Sequence, residues 1–226
     1  MGAYGGPDII TDGLFFAFDA GSERCYSGSG TAVNSLVNAS TGTLINGVGY
    51  SSSNGGTWVF DGTDDYISTS VIDSGSPSNL SLEVWIRVNG VLDSNDRKVI
   101  HYDKTGTTNA VFQLRKGTTD RNLMYQVHDG SSWTTMTDAD AIYSDTWACF
   151  TITQQGTNAI MYKNGVQSTT ATMGNLNWTN ANNALIGYRA AAEYWNGDIA
   201  SLKIYNKALT AAEVLQNYNA QKNRFI

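Results

Sequence analysis

Charge is what this chain has least of. Asp, Glu, Lys and Arg make up 15% of its 226 residues, well below the roughly one quarter usual for a globular chain. Helices normally carry charge on their exposed faces, so a mostly helical fold is disfavoured. Proline is scarce as well: only Pro7 and Pro77 occur, and no Pro-rich or charge-rich linker divides the chain. No stretch approaches the run of about 18 apolar residues that a membrane-spanning helix needs. Two histidines and two cysteines are too few and too scattered for zinc, and Cys25 and Cys149 form no Cys-x-x-Cys pair. A disulfide between them stays open, with two ordinary thiols as the simpler reading. The opening, Met1 to Asp8, has neither the basic stretch nor the apolar core of a signal peptide. The sequons at Asn38, Asn79 and Asn177 then read as chance matches. A net charge of -6 repels phosphate backbones and argues against nucleic acid as a partner.

What the chain does have is glycine and aromatics, with 23 Gly, 12 Tyr and 6 Trp. That mixture suits strands joined by tight turns and argues against disorder. Strand signals recur along the whole length. Leu14 to Phe18 follows the turn Asp12-Gly13 and is apolar on both faces. Thr57 to Phe60 and Tyr66 to Ser70 flank Asp61-Gly62. In Leu80 to Val88, Leu82, Val84, Ile86 and Val88 alternate with Ser81, Glu83, Trp85 and Arg87, the period of a half-buried strand. Similar runs cover Lys98 to Tyr102, Ala110 to Arg115, Leu123 to His128, Trp147 to Thr153, Ala159 to Tyr162, Leu185 to Tyr188 and Gly197 to Tyr205. Asn164-Gly165 between two such runs marks a hairpin. Only one helix is expected, over 210–221. Thr210 and Glu213 form a capping box, Leu209 and Val214 a hydrophobic staple, and Val214, Leu215 and Tyr218 a short apolar face. About a dozen strands and one terminal helix predict an all-β, two-sheet antiparallel jelly-roll sandwich. It spans residues 1–226 as a single domain, with an N-terminal arm over 1–12.

Four segments, in order and spacing, carry a resemblance. They are Val59 to Ile67 (VFDGTDDYI), Leu80 to Ile86 (LSLEVWI), Trp147 through Tyr162-Lys163-Asn164-Gly165, and Leu185-Ile186-Gly187 followed by Trp195 to Ile199 and Ile204 to Thr210. Together they resemble the laminin-G-like branch of the concanavalin A-like lectin/glucanase superfamily across residues 13 to 218. The opening, Asp12 to Gly21 with Tyr26 to Thr31, is similar to the start of such domains in tailed-phage virion proteins. That similarity implies a tail-fibre, baseplate or capsid-decoration component. Its partners would be other virion proteins or copies of itself, with host-surface glycans as a further partner, and it would be located in the virion. A carbohydrate-binding module of a bacterial surface or secreted protein is the alternative. In such a fold Trp147 is suited to the space between the sheets, and Trp85 to a place under a covering loop or sheet edge.

The chemistry-bearing residues favour binding over catalysis. Retaining glycosidases need two carboxylates about 5 Å apart, and the glucanase branch supplies them from one Glu-x-Asp-x-x-Glu strand. Here Glu83 stands alone, with Trp85 and Arg87 next on its face, and reads as a structural residue. His101 and His128 lie within strand runs, and Cys149 reads as a buried, inert thiol. The chain is therefore expected not to be an enzyme, a polysaccharide-degrading enzyme on the same fold being the remaining alternative. Asp61, Asp64 and Asp65 crowd one turn. Hard cations take converging oxygens, and laminin-G-like domains often hold calcium, so these three are the candidate calcium ligands. The same residues also serve ordinary turn chemistry. Relatives often carry an acid where Ala200 stands here, and Asp198 would point differently. Trp133, Trp178 and Tyr194 are the candidate ligand-binding aromatics, expected on loops, although covering the core edge or meeting a neighbouring subunit would use them equally.

Overall fold

The computed structural model describes residues 7–72, 75–90, 92–105, 110–119, 121–189 and 193–226. Among the described residues, sixteen strands build two antiparallel sheets of eight. The first sheet runs β14 (Val166–Thr172), β13 (Asn158–Lys163), β12 (Ala148–Gln155), β7 (Asn79–Val88), β16 (Asn196–Tyr205), β5 (Thr57–Asp61) and β4 (Gly49–Ser51). Its eighth strand, β1 (Leu14–Asp19), follows β5 along one edge of β16: β5 pairs Asn196 to Ile199, and β1 pairs Ser201 to Tyr205. The second sheet runs β11 (Trp133–Asp138), β10 (Leu123–His128), β9 (Ala110–Lys116), β8 (Arg97–Lys104), β15 (Ala181–Ile186), β6 (Tyr66–Val71), β3 (Thr41–Ile45) and β2 (Ala32–Asn34). The expected all-β sandwich is what forms.

One core fills the space between the sheets. From the first sheet come Leu82, Val84 and Ile86 of β7, Phe150 and Ile152 of β12, and Leu202 and Ile204 of β16. They meet Ile67, Ile100, Tyr102, Phe112, Leu114, Tyr125 and Val127 of the second. Each such aliphatic or Phe side chain contributes roughly 1.5–3 kcal/mol by leaving water. The Asn164-Gly165 hairpin also forms. Both residues adopt positive φ, at 53° and 78°, and Lys163 pairs directly with Val166, which is the two-residue primed turn that suits twisted strands.

The alternation of β7 predicts one buried face, but the structure buries both. Ser81, Glu83 and Trp85 point away from the core and yet have no solvent exposure. The cause is the C-terminus, which folds back over the first sheet. Helix α1 (Ala211–Gln221) carries the expected capping box at Thr210 and Glu213, and Leu209 and Val214 pack with Tyr162 and Tyr205. Its buried face differs from expectation: Val214, Asn217 and Gln221 are buried, whereas Leu215 is 45% exposed. The helix covers a sheet face that is itself partly polar, so amides face inward in place of the leucine.

Trp147 is a second departure. It lies outside the first sheet, with Trp85, Cys149, Ala200 and Phe225. Phe150 and Ile152 point into the core, so Cys149 and Trp147, at odd spacing from them, fall on the outer side. Trp85 is covered as expected, with Phe225 stacked at 4.2 Å and Tyr218 at 5.7 Å between ring centroids. The two cysteines are free thiols. Cys25 belongs to the main core and Cys149 to the outer cluster, so no disulfide joins them.

Candidate functional site

The outer faces of the two sheets have different fates. That of the first sheet is covered around β7 and β16 by α1 and the residues after it. That of the second carries a row of polar side chains running across four strands. His101 on β8, Gln113 on β9, Gln126 on β10 and Thr135 on β11 are successive register partners. Their neighbours Ile100, Leu114, Tyr125 and Met136 are core residues, so strand alternation turns this row outward.

The row is bonded laterally. His101 Nδ1 lies 3.1 Å from Gln113 Oε1, and Gln113 Nε2 donates to Gln126 Oε1 at 2.7 Å. Arg115 Nε donates to the same oxygen at 2.7 Å, while Gln126 Nε2 donates to Thr135 Oγ1 at 2.8 Å. Arg115 also pairs with Asp96. Lys98 Nζ sits 3.0 Å from Asp96 Oδ2 and 3.5 Å from Glu193 Oε2. Burial pulls the Lys98 ammonium below the ordinary lysine value, and Asp96 opposes that pull. Asp103 Oδ1 lies 3.5 Å from His101 Nε2 at the other end.

Trp133 stands at the rim. It was expected on a loop, but it opens strand β11 and pairs directly with His128, the two rings meeting edge to face at 5.1 Å. The hairpin turn is confined to the polar stretch 129–132, because Asp129 Oδ1 accepts from the N–H groups of Ser131 and Ser132 and closes it there, so the strand starts at once with Trp133. Asp96, Lys98, Gln113, Arg115, Gln126, Trp133 and Arg189 line a cavity of about 240 Å³. Fixed amide, guanidinium and carboxylate groups beside an indole can hydrogen-bond a polyhydroxylated ligand while the ring covers its apolar face.

The other expected site residues fall in two further places. Asp61, Asp64 and Asp65 do converge, each offering a carboxylate oxygen within 4.8 Å of the others. Much of that oxygen is already in use. Asp61 Oδ1 accepts from Thr63 N at 2.7 Å, and buried Asp65 accepts from Asp61 N at 3.1 Å. Burial raises the Asp65 carboxyl, the bond from Asp61 N–H lowers it, and the charges of Asp61 and Asp64 raise it again. The donor set is that of a hard cation, but three carboxylates fall short of the six to eight oxygens calcium takes. Asp198 is not among them: buried, it pairs with Arg87 and accepts from Asn89 Nδ2 at 3.2 Å.

Tyr194 lies beside this triad, the last ring of a stack with Tyr188 at 4.6 Å, itself 4.9 Å from Tyr66. Burial, then Tyr188, then the Asp64 charge raise its phenol. Arg97 holds the segment, donating to the Tyr194 carbonyl at 2.8 Å while Asp93 clamps the guanidinium. The same segment sends Arg189 and Glu193 to the polar row. Trp178 is elsewhere. Its indole donates to the Pro77 carbonyl at 2.7 Å and meets Tyr102 edge to face at 5.3 Å, so it caps the edge of the core.

Glu83 belongs to none of these places. It is fully buried under α1, bonded to Lys203 and Asn217. Sequence reasoning missed Gln113, Arg115 and Gln126. The available signal was Gln-x-Arg on one strand and Gln-x-His on the next, all outward by alternation.

Comparison with known proteins agrees with this architecture. The binding domain of botulinum neurotoxin serotype D is 14% identical, with 94% of this chain and 52% of that one covered at a TM-score of 0.75. The binding domain of Paraclostridial Mosquitocidal Protein 1 is 16% identical, with 92% and 52% covered at a TM-score of 0.72. This chain thus spans about half the length of those toxin domains. Domain 4 of an extracellular arabinanase from Geobacillus stearothermophilus, solved with arabinotriose, is 18% identical, with 91% and 98% covered at a TM-score of 0.69. These likenesses are of fold. No curated protein matches the sequence. The sequence itself matches a family described as the concanavalin A-like lectin/glucanases superfamily over residues 61–215. On a match that spans well over half its length, and on the two-sheet sandwich that those residues help to build, the chain belongs to the concanavalin A-like lectin/glucanases superfamily.

Proposed function

We propose that this chain is a glycan-binding domain without catalytic activity, and that its binding surface is the polar row on the second sheet. The observation that carries the reading is the laterally bonded set His101, Gln113, Arg115 and Gln126 beside Trp133. The amides and guanidinium bond to one another along the sheet, which fixes their orientation: His101 and Gln113 are buried and brace the row, while the partly exposed Arg115, Gln126 and Trp133 are the groups a ligand can reach. A sugar hydroxyl both donates and accepts, and such an array meets it without rearrangement. The cavity of about 240 Å³ falls just below the roughly 300 Å³ at which small-molecule pockets begin, so it accepts one sugar unit, with neighbouring units lying across Trp133.

Two features support binding without hydrolysis. Glu83, the one acid on the strand where the glucanase branch keeps its pair, is inaccessible beneath α1. In the polar row, Asp96 is held by Lys98 and Arg115, and Glu193 by Lys98 and Arg189.

In its finer form the domain sits on the surface of a tailed-phage particle, among copies of itself or other virion proteins, and contacts host glycans. The opening segment Asp12 to Thr31 supports that placement. A module of a bacterial surface or secreted protein is favoured instead by the likeness to a whole arabinanase domain.

Binding of the purified chain to an array of bacterial and algal glycans tests the core reading. Specific binding that is lost in Trp133→Ala is the expected result. No binding to any glycan, or hydrolysis that disappears in Asp96→Asn or Glu193→Gln, overturns it.

A further inference from the structure

A second cluster of reactive groups lies on the opposite sheet from the polar row, buried between the first sheet and helix α1. Glu83 on β7 and Lys203 on β16 are direct register partners. Lys203 Nζ sits 2.8 Å from Glu83 Oε1. The other carboxylate oxygen, Oε2, accepts from Asn217 Nδ2 of α1 at 2.9 Å. Asn217 Nδ2 also donates to Tyr205 Oη at 2.9 Å, and Asn217 Oδ1 accepts from the Ile10 N–H at 2.8 Å. Glu83 and Asn217 have no solvent exposure and Lys203 has 3%. One carboxylate therefore bridges a primary amine and a primary carboxamide in a water-excluded site. A backbone donor is already aimed at the amide oxygen.

We infer that Lys203 and Asn217 join in an intramolecular amide bond, with Glu83 as the proton carrier. Amines do not attack carboxamides in water because the amine is protonated and the amide nitrogen is a poor leaving group. Both obstacles are met here by one residue that touches both nitrogens. Glu83 takes a proton from the Lys203 ammonium, and the freed Nζ attacks Asn217 Cγ. Charge that develops on Oδ1 is held by the Ile10 N–H, as a backbone donor holds an oxyanion. Glu83 passes a proton to Nδ2 and receives one from Nζ as the tetrahedral centre collapses. The Nζ–Cγ bond forms, the Cγ–Nδ2 bond breaks and ammonia leaves. The ammonium and carboxylate of the start become a secondary amide and a neutral Glu83 carboxylic acid, so hydrogens and charge balance and no oxidant or co-reactant is needed. The product also replaces a buried ion pair, whose desolvation is costly, with uncharged groups. One carboxylate holds both groups in a packed site, and the step requires Nζ to close on Cγ along it, which such confinement favours.

Lys203 Nζ also donates to Gln221 Oε1 at 2.7 Å. That contact steadies the amine, while the amide whose nitrogen faces Glu83 is that of Asn217. The bond would fasten α1 to β16 and lock the cover over the first sheet, leaving the polar row untouched.

Intact-mass spectrometry of the purified, folded full chain tests this, followed by tandem analysis of the peptides that carry Lys203 and Asn217. The expected result is a mass lower than the sequence mass by one ammonia. It is accompanied by a branched peptide joining these two residues that survives denaturation and is absent in Glu83→Gln and Lys203→Arg. Should those variants fail to fold, the wild-type peptide decides alone. A full-length mass without deficit, a branch at Gln221, or a deficit traced to a succinimide at another asparagine each overturns the inference.

Discussion

Replacing Gln126 with alanine probes the polar row at its hub. Its Oε1 accepts from both Gln113 Nε2 and Arg115 Nε, each at 2.7 Å, and its Nε2 donates to Thr135. The three losses differ in weight. Gln113 is 3% exposed, so its orphaned donor has little access to water, and an unsatisfied buried polar group costs about 1–3 kcal/mol. Arg115 keeps Asp96 and is only half-buried, so solvent replaces its lost bond at small cost. Thr135 is exposed and loses almost nothing. The sum is about 1–3 kcal/mol of folding stability, dominated by one amide. At this chain length each kcal/mol shifts the melting midpoint by roughly 2–4 °C. Binding to whichever glycan the array identifies falls by at least about tenfold, since tenfold corresponds to about 1.4 kcal/mol and the row loses both a ligand-facing group and its orientation. Gln126→Glu retains the shared acceptor and gains charge beside Arg115, so its stability stays near wild type. Equilibrium urea denaturation and glycan titration of both variants measure these outcomes. A Gln126→Ala protein within about 0.5 kcal/mol of wild type, binding as tightly as before, would show that the row is neither preorganised nor a binding surface.

Four further outcomes follow from the same geometry. Trp133→Ala leaves stability within about 0.5 kcal/mol and removes binding, whereas Trp178→Ala, which uncovers Tyr102 and orphans the Pro77 carbonyl, destabilises by about 2–4 kcal/mol and leaves binding intact. The reverse pattern by the same titrations would exchange their roles. The Arg97 side chain, with Asn95, holds Asp93 well below the usual carboxylate range. Because the folded value is depressed, this stabilisation is complete above the unfolded value of about 4 and is lost as pH falls towards the folded one. Protection of the Trp195 amide, which shares the peptide whose carbonyl Arg97 holds, therefore falls in acid relative to the intrinsic exchange rate at each pH, and Asp93→Asn should show the lower protection already at neutral pH. Burial pushes the Cys25 thiol up to about 11 and raises Cys149, Glu83 adding to the latter. A thiol reagent near neutral pH should thus label neither cysteine until the chain is denatured. Burial and two acidic neighbours raise Asp65, so its ionised form opposes folding as pH rises through its unfolded value towards the folded one. Calcium should relieve that opposition and raise the melting midpoint. Asp64→Asn should gain up to about 0.5 kcal/mol in chelator and respond less to calcium, and no calcium response in wild type would leave the triad as turn chemistry.

The legibility of this protein in its sequence was uneven for physical reasons. Long strands with a period of two, such as β7 and β10, and the capped helix were readable because their signals are local. Strands β2, β3 and β4 were not. They have three, five and three residues, too few for a period to emerge, and lie in Gly- and Ser-rich stretches that resemble turns. The side of the first sheet that faces outward was misread at Trp147 and left open at Glu83. What covers them is α1, more than 50 residues downstream of Trp147 and over 120 downstream of Glu83, and no local pattern announces that return. Of the proposed site, Trp133 was picked for its chemistry, although its strand went unseen. The row behind it was not found, because a glutamine on an outward strand position looks like any solvated residue until its neighbours on the next strands are known to be glutamine, arginine and histidine too.

Both sheets place polar side chains on their outer faces, and the difference lies in what satisfies them. On the first sheet the partners come from above. Asn217 and Gln221 of α1 reach down to Glu83 and Lys203, and the Lys207 carbonyl and Leu209 N–H take both roles of the Ser81 hydroxyl. These bonds point outward from the sheet and add to the lateral Glu83–Lys203 pair, so the part of the face beneath α1 is closed by the helix. On the second sheet the partners come from the side, strand to strand, and each amide spends its donor on its neighbour along the row. Bonds in the plane of the row leave the direction perpendicular to it unused, and in a β-sandwich that is the direction from which a ligand arrives. A face satisfied from above demands a permanent cover, while the row satisfied laterally keeps Arg115, Gln126 and Thr135 accessible at its outer end even though His101 and Gln113 are buried. On the proposed reading, this contrast favours the second sheet over the first as the face that a ligand meets.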